Sequence, residues 1–160
     1  MHARATLLAE LDCSGCSRAR AQSTCQVPGL KKAEIDGRLE EAGIDQVYVF
    51  CVNDGAVMTA WKKDQGLAGS EMIEFVADTD ADLTKALGLV LTGDGKPYGK
   101  SEGPNNALGY HTTRCKRSAM WIVDGELKAI RIAEAPDDPA GDDKPEGSCI
   151  ENMLKVIAEC

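Results

Sequence analysis

The chain of 160 residues lacks a long apolar stretch and any excess of positive charge. No apolar run approaches the roughly 20 residues that a membrane-spanning helix needs. The first four residues, Met-His-Ala-Arg, lead into no convincing secretory signal, so we expect a cytoplasmic protein, with a mitochondrion or plastid as the alternatives. A formal net charge of −8 argues against nucleic acid as a partner, because phosphate binding needs a basic surface.

The chain is also poor in paired metal ligands. Cys13 and Cys16 form a Cys-x-x-Cys unit that supplies half of a zinc site, but no second unit follows. The two histidines, His2 and His111, do not form a paired motif. Because a structural zinc site takes four ligands, the sequence favours neither a metal ion nor another cofactor.

Cysteine, in contrast, is abundant, with seven residues. An odd number without a secretory signal argues against a static disulfide scaffold. Cys115 lies between Arg114 and Lys116, and Cys149 opens the last helical pattern. Neighbouring cations and helix starts favour the thiolate form of a cysteine. The cysteine pattern therefore indicates thiol redox chemistry.

Apolar runs alternate with helical patterns, which is typical of a mixed α/β domain. Strands are predicted at residues 5–9, 47–51, 72–77, 119–123 and 127–132, the last two joined by a hairpin turn at Asp124-Gly125. Because a helical crossover between strands favours parallel neighbours, the order of elements predicts a mixed sheet with helices on both faces. This is a thioredoxin-like arrangement in a single domain over residues 1–160.

Helices are predicted from apolar spacing and from end signals. They cover residues 30–42, a segment from a cap at Asn53 or Asp54 to about Gly66, residues 81–87 after a cap at Asp80, and a last segment after a cap at Ser148. Residues 92–113 predict a long loop and the acidic residues 136–147 a mobile linker. Cys51, Met58, Trp61 and Phe75 are predicted to pack in the interior.

Three segments, in order along the chain, are similar to segments of one family. Residues 51–61, CVNDGAVMTAW, resemble the Val-Asn-Asp-x-x-Val-Met-x-x-Trp segment of the type II, or peroxiredoxin 5, peroxiredoxins. Residues 77–89 resemble a further segment, and Arg114 and Arg117 match the Arg-x-x-Arg strand of that family. The resemblance runs from about Val27 to Ile132 and resumes at Cys149.

The resemblance implies a function and a set of site residues. It implies a thioredoxin-like fold and a thiol-dependent peroxidase that reduces hydrogen peroxide and organic hydroperoxides through a cysteine sulfenic acid. Thioredoxin, glutaredoxin or glutathione would be the reductant, and a second copy of the chain is a further expected partner. In the family's pattern Arg117 is the active-site arginine, and Cys149 takes the position of the resolving cysteine.

The N-terminal end departs from the family's pattern. The family's nucleophilic cysteine precedes the proline of a Val-Pro-Gly by six residues, and that position holds Gln22 here. Cys25, which follows a Ser-Thr pair, is the preferred candidate for the nucleophile, and Cys16, which precedes two arginines, is the other. We expect oxidation to join Cys149 to an N-terminal cysteine, Cys25 by preference.

Two other functions stay open at this point. Gln22 at the family's nucleophile position favours a catalytically degenerate redoxin-fold protein that acts as a redox sensor or binding partner. Cys13 and Cys16 are similar to the Cys-x-x-Cys unit of thioredoxins, which favours a disulfide reductase.

Overall fold

The computed structural model describes residues 4–10, 26–93, 96–97, 113–134 and 145–159. Arg117 and Cys149 lie within these ranges. The predictions made for Cys13, Cys16, Gln22, Cys25 and the two histidines fall outside the described residues, as do most of the predicted loop and linker.

Five of the described strands form a mixed sheet, and two others form a short ladder. The strands are β1 (Ala5–Glu10), β2 (Gln46–Cys51), β3 (Ile73–Ala77), β4 (Thr92–Gly93), β5 (Lys96–Pro97), β6 (Ser118–Val123) and β7 (Glu126–Ile132). Within the described ranges, five strands lie side by side in the order β3-β2-β1-β6-β7. β2 is parallel to β1 and β3, and β6 is antiparallel to β1 and β7, which confirms the predicted mixed sheet. β4 and β5 pair with each other, so the predicted loop begins with a short ladder.

The sheet buries both of its faces. Leu7, Val47 and Ile73 are neighbours across β1, β2 and β3, and all three are buried. Because successive side chains of a strand point to opposite faces, Phe50 of β2 and Met120 of β6 lie on the other face, in a second buried cluster. The sheet is therefore an interior layer, as the continuous apolar run at residues 47–51 predicts.

Helices cover the sheet. They are α1 (Gln26–Ile35), α2 (Arg38–Glu41), α3 (Gly55–Asp64), α4 (Asp82–Ala86) and α5 (Ile150–Ala158), and a 3₁₀ turn (Pro145–Ser148) precedes α5. Leu30 of α1 and Met153 of α5 pack on the cluster that contains Leu7 and Val47. α1 and α5 therefore meet over one face of the sheet, above β1 and β6.

The predicted helix over residues 30–42 is wrong at its start and in its middle. α1 begins four residues earlier, at Gln26, since the proline at position 28 falls in the first helical turn, where its missing N–H is tolerated. Gly37 has a φ of 72° and separates α1 from α2. Glycine adopts this left-handed conformation without strain, so it ends the first helix where apolar spacing alone predicts continuation.

The helix caps are partly as predicted. The carboxylate of Asp54 accepts a hydrogen bond from the Val57 N–H at 2.9 Å, which confirms the predicted cap of α3. Asp80 does not cap α4, because Asp78 accepts the N–H groups of Leu83 and Thr84 instead.

The start of α5 also differs from the prediction. The N-cap position is Cys149, not Ser148, and its side chain makes no capping hydrogen bond. Ser148 ends the 3₁₀ turn, so the last residues of the predicted linker are helical.

Two aromatic side chains pack as predicted. The rings of Trp61 and Phe75 meet edge to face with their centroids 4.9 Å apart. Met58, on the same helix as Trp61, is buried.

None of the helices in the described part of the chain is long and apolar enough to cross a membrane. The single-domain organisation stays a prediction.

Candidate active site

Arg117 lies immediately before β6 and is only 1% exposed. Arg117 is therefore not a solvated charge at the end of a strand. Its carbonyl accepts a hydrogen bond from the Ala133 N–H at 2.9 Å, which ties the backbone to the end of the hairpin. Burying a guanidinium costs free energy unless polar partners receive its N–H groups. One such partner is the side chain of Gln26, whose Oε1 accepts from Arg117 Nη1 at 3.2 Å.

Gln26 is the residue of this region that the sequence analysis missed. It opens α1, is 1% exposed, and its Nε2 donates to Ser148 Oγ at 2.6 Å and more weakly to Ser148 O at 3.4 Å. The sequence feature that indicates Gln26 is its position two residues before Pro28, a proline that fits the first turn of a helix. Because the predicted helix begins only at residue 30, Gln26 lies outside every predicted element.

Cys149 follows Ser148 at the N-terminal end of α5 and is 3% exposed. It is disulfide-bonded, and its Sγ lies 3.4 Å from the carbonyl oxygen of Pro145. In the reduced protein, the partial positive charge at the start of α5 would favour its thiolate. Its pairing with Cys25 stays a prediction, because Cys25 lies outside the described residues.

The structure thus brings two of the four predicted site residues into one region. Arg117 and the turn that carries Cys149 both contact Gln26. Beside Gln26 lies a cavity of about 10 Å³, lined by Leu7, Ala9, Gln26, Leu30, Ala119, Ser148, Ile150 and Met153. A cavity of this size holds one water molecule at most. Gln26 is therefore enclosed by its protein partners.

Two other cysteines lie in the described part of the chain. Cys51 ends β2 and is 2% exposed, which confirms its predicted interior position, and it is disulfide-bonded, which was not predicted. Cys115 is 3% exposed, is not part of a disulfide and pairs through its backbone with Val90. Neighbouring cations make a cysteine reactive only where its thiol is accessible, and Cys115 is buried.

The described residues contain no group of three or more His, Cys, Asp or Glu side chains that could hold a metal ion. What they do combine is a buried guanidinium with a cysteine at the start of a helix, on one face of a mixed sheet. A cation and a helix N-terminus both stabilise a thiolate. The fold and these groups define a thioredoxin-like domain equipped for thiol chemistry.

Comparison with known proteins identifies the family. The family model for redoxins matches residues 8–144, and the chain belongs to the redoxin family. The chloroplastic peroxiredoxin-2E of Arabidopsis thaliana is 35% identical over 132 residues, which cover 82% of this chain and 47% of that protein. A peroxiredoxin of Rhizobium etli is 31% identical over 135 residues, which cover 84% of this chain and 65% of the relative. The chain thus spans about half to two thirds of the length of these curated relatives.

Solved structures agree with this result. Reduced Prx3 of Vibrio vulnificus in complex with hydrogen peroxide is 26% identical, with a TM-score of 0.70, and the match covers 97% of this chain and 78% of that one. The likeness confirms the predicted thioredoxin-like fold. Together with the sequence relatives, it also confirms the predicted resemblance to type II peroxiredoxins.

Proposed function

We propose that this protein is a thiol-dependent peroxidase that reduces hydrogen peroxide and organic hydroperoxides. The observation that carries the proposal is the buried Arg117, held by Gln26 beside the turn of Cys149, in a chain whose relatives are peroxiredoxins. A buried guanidinium stabilises a thiolate before the reaction and the departing oxygen during it.

The first step is attack of a cysteine thiolate on the peroxide. The sulfur bonds to one oxygen of ROOH and the O–O bond breaks, so the cysteine becomes a sulfenic acid and the second oxygen leaves as ROH after it takes up a proton. Cys25 is the proposed nucleophile and Cys16 the alternative. Arg117 is the proposed partner of both the thiolate and the leaving oxygen.

The second step restores the thiols. The Cys149 thiol condenses with the sulfenic acid, which releases water and leaves a disulfide. A dithiol of thioredoxin or glutaredoxin, or two molecules of glutathione, then reduces this disulfide by thiol–disulfide exchange and is itself oxidised.

Trapping of the sulfenic acid tests the proposed nucleophile. The reduced protein is treated with one equivalent of hydrogen peroxide in the presence of dimedone, and the adduct is located by peptide mass spectrometry. We expect one adduct on Cys25, absent in Cys25→Ser and retained in Cys160→Ser, the matched terminal control. An adduct on Cys16 alone would move the nucleophile there.

The second candidate function is a redox sensor or binding subunit without peroxidase activity. It is favoured by Gln22 at the position where the family carries its nucleophile. In that case the same experiment gives slow oxidation spread over all exposed thiols, with no preferred cysteine. A single rapid adduct would rule it out.

Location and assembly are proposals as well. Relatives are named as chloroplastic and as mitochondrial peroxiredoxins. We propose a cytoplasmic protein that forms homodimers, with the organelles as alternatives. Subcellular fractionation with antibody detection of this protein tests the location. Analytical sedimentation of the purified protein tests the homodimer.

A further inference from the structure

Both polar atoms of the Gln26 side-chain amide are hydrogen-bonded to parts of the candidate site. We infer that Gln26 is a positioning residue that couples the Arg117 guanidinium to the turn carrying Cys149, so that movement of this turn changes how Arg117 is held. The catalytic consequence of this coupling rests on the proposed function, whereas the coupling itself does not.

The orientation of the Gln26 amide follows from its partners. Arg117 offers only N–H donors, so the group that faces it must be the carbonyl oxygen of Gln26. The NH₂ group then faces the hydroxyl and carbonyl oxygens of Ser148. A flipped amide would set donor against donor at Arg117 and oxygen against the carbonyl oxygen of Ser148, whose hydroxyl donates instead to the Pro145 carbonyl. Both sets of hydrogen bonds therefore exist together in one orientation of the amide.

The surroundings of Gln26 make the two ends interdependent. The side chain is buried, and the adjoining cavity has room for one water molecule at most. If Ser148 moves, the NH₂ group of Gln26 must follow it or lose its acceptors without replacement by solvent. A glutamine that follows Ser148 draws its Oε1 away from Arg117.

Movement of Ser148 is expected whenever Cys149 changes partner. The two residues are adjacent in sequence, and disulfide formation needs α-carbons within about 7 Å of each other. Under the proposed function, Cys149 must approach the oxidised nucleophile. In this structure Cys149 is disulfide-bonded while Gln26 holds both Ser148 and Arg117, so the coupled arrangement belongs to the oxidised form. Reduction of that disulfide would free the turn, and displacement of the turn would then change how Arg117 is held when the next peroxide molecule arrives.

A double-mutant cycle tests the coupling without any peroxide. The readout is the exchange of the Arg117 guanidinium protons with water, measured by NMR on the ¹⁵N-labelled protein with Cys149 disulfide-bonded, as it is in the structure. We expect Ser148→Ala to accelerate this exchange about fivefold, the effect of weakening one hydrogen bond. In a Gln26→Met background, which keeps the length of the side chain but removes its polar groups, Ser148→Ala should change nothing further. Equal acceleration in both backgrounds would overturn the inference.

Two more variants separate positioning from a general loosening of the fold. Gln26→Glu keeps the oxygen that faces Arg117 and removes the donor to Ser148, so it should preserve slow exchange at Arg117 while amide exchange of Met153, in the first turn of α5, speeds up. Gln46→Met is the control, because Gln46 Nε2 likewise donates two hydrogen bonds, in its case to the carbonyl oxygens of Glu71 and Met72. If Gln46→Met accelerates Arg117 exchange as much as Gln26→Met does, the inference is wrong.

The outcome is distinguishable from failure of the peroxidase proposal. Coupled exchange at Arg117 in a protein that does not consume peroxide would reject the peroxidase and support the coupling. Peroxide turnover together with independent effects of Ser148→Ala and Gln26→Met on Arg117 exchange would support the peroxidase and reject the coupling.

Discussion

At the scale of single residues, the most unusual feature of the candidate site is a charged side chain in the interior. Arg117 is buried and hydrogen-bonded to Gln26. A guanidinium stays protonated in proteins, so burial fixes a positive charge at this place. A fixed charge needs no reorganisation when a thiolate forms beside it or when an oxygen leaves with negative charge.

Replacement of Arg117 by lysine should therefore slow peroxide reduction and leave the fold intact. Lysine keeps the charge but loses the planar fork of donors, and loss of one such donor costs about 100-fold in rate. The second-order rate constant with hydrogen peroxide, followed by stopped flow, measures the effect. Arg131→Lys, on an exposed part of β7, is the control and should keep the wild-type rate. Equal rates for Arg117→Lys and wild type would contradict the role of Arg117.

At the scale of elements, the ends of the helices show where prediction from sequence works and where it stops. The cap at Asp54 is predictable because this residue directly precedes a helical pattern, and such a signal depends only on neighbouring residues. Asp78 caps α4 from five and six residues away, across a turn that ends at Ala81, whose φ is 56°. This longer arrangement depends on the path of the chain between β3 and α4, which residue spacing does not reveal.

The cap of α4 makes stability depend on pH. Burial opposes ionisation of Asp78, but hydrogen bonds from the backbone N–H groups of Leu83 and Thr84 outweigh it and hold the pKa below the ordinary value of 3.8. The charged form is thus favoured by folding, and its contribution is fully present above pH 3.8 and lost as the pH falls through the lower pKa of the folded state.

Asp78→Asn should accordingly lower the free energy of unfolding by about 1 kcal/mol at pH 7. The difference from wild type should shrink as the pH is lowered below the ordinary carboxyl value. Urea denaturation at several pH values measures both. Asp80→Asn, at an exposed neighbouring aspartate, should have no such effect. A loss that is the same at every pH would contradict this account of Asp78.

The break between α1 and α2 gives a second prediction at this scale. No atom lies within 4 Å of a Cβ added at Gly37, so Gly37→Ala meets only the strain of its positive φ. We expect a loss of about 1 kcal/mol in the free energy of unfolding. Gly69→Ala is matched, because that site is equally open and lacks the positive φ. If the two substitutions have the same effect, the backbone of Gly37 is not what separates the helices.

At the scale of the whole molecule, the sheet was predictable and the site was only partly so. Local residue spacing is enough to predict the strand at residues 47–51 and the hairpin turn at Asp124-Gly125, and the structure confirms both. The contact of Gln26 with Arg117 joins residues 91 positions apart, so it depends on how α1 packs over the sheet. Local patterns do not hold that information. The nucleophile stays a prediction, since Cys16 and Cys25 lie outside the described residues.

The proposed redox cycle predicts a specific disulfide. After one equivalent of hydrogen peroxide, non-reducing peptide mapping should find Cys149 joined to an N-terminal cysteine, Cys25 by preference, and thioredoxin should release it. In Cys149→Ser the nucleophile should instead form a mixed disulfide with added glutathione. A Cys149 that remains a thiol while Cys25 or Cys16 is oxidised would reject the two-cysteine cycle.

Steady-state peroxide consumption tests whether this chain reduces peroxide with a cysteine thiolate. The assay supplies thioredoxin, its reductase and NADPH, with glutaredoxin and glutathione as parallel reductants. We expect continuous turnover well above that of free cysteine at the same thiol concentration, abolished by Cys25→Ser and retained by Cys160→Ser. Consumption no faster than that of free cysteine with every reductant would contradict it.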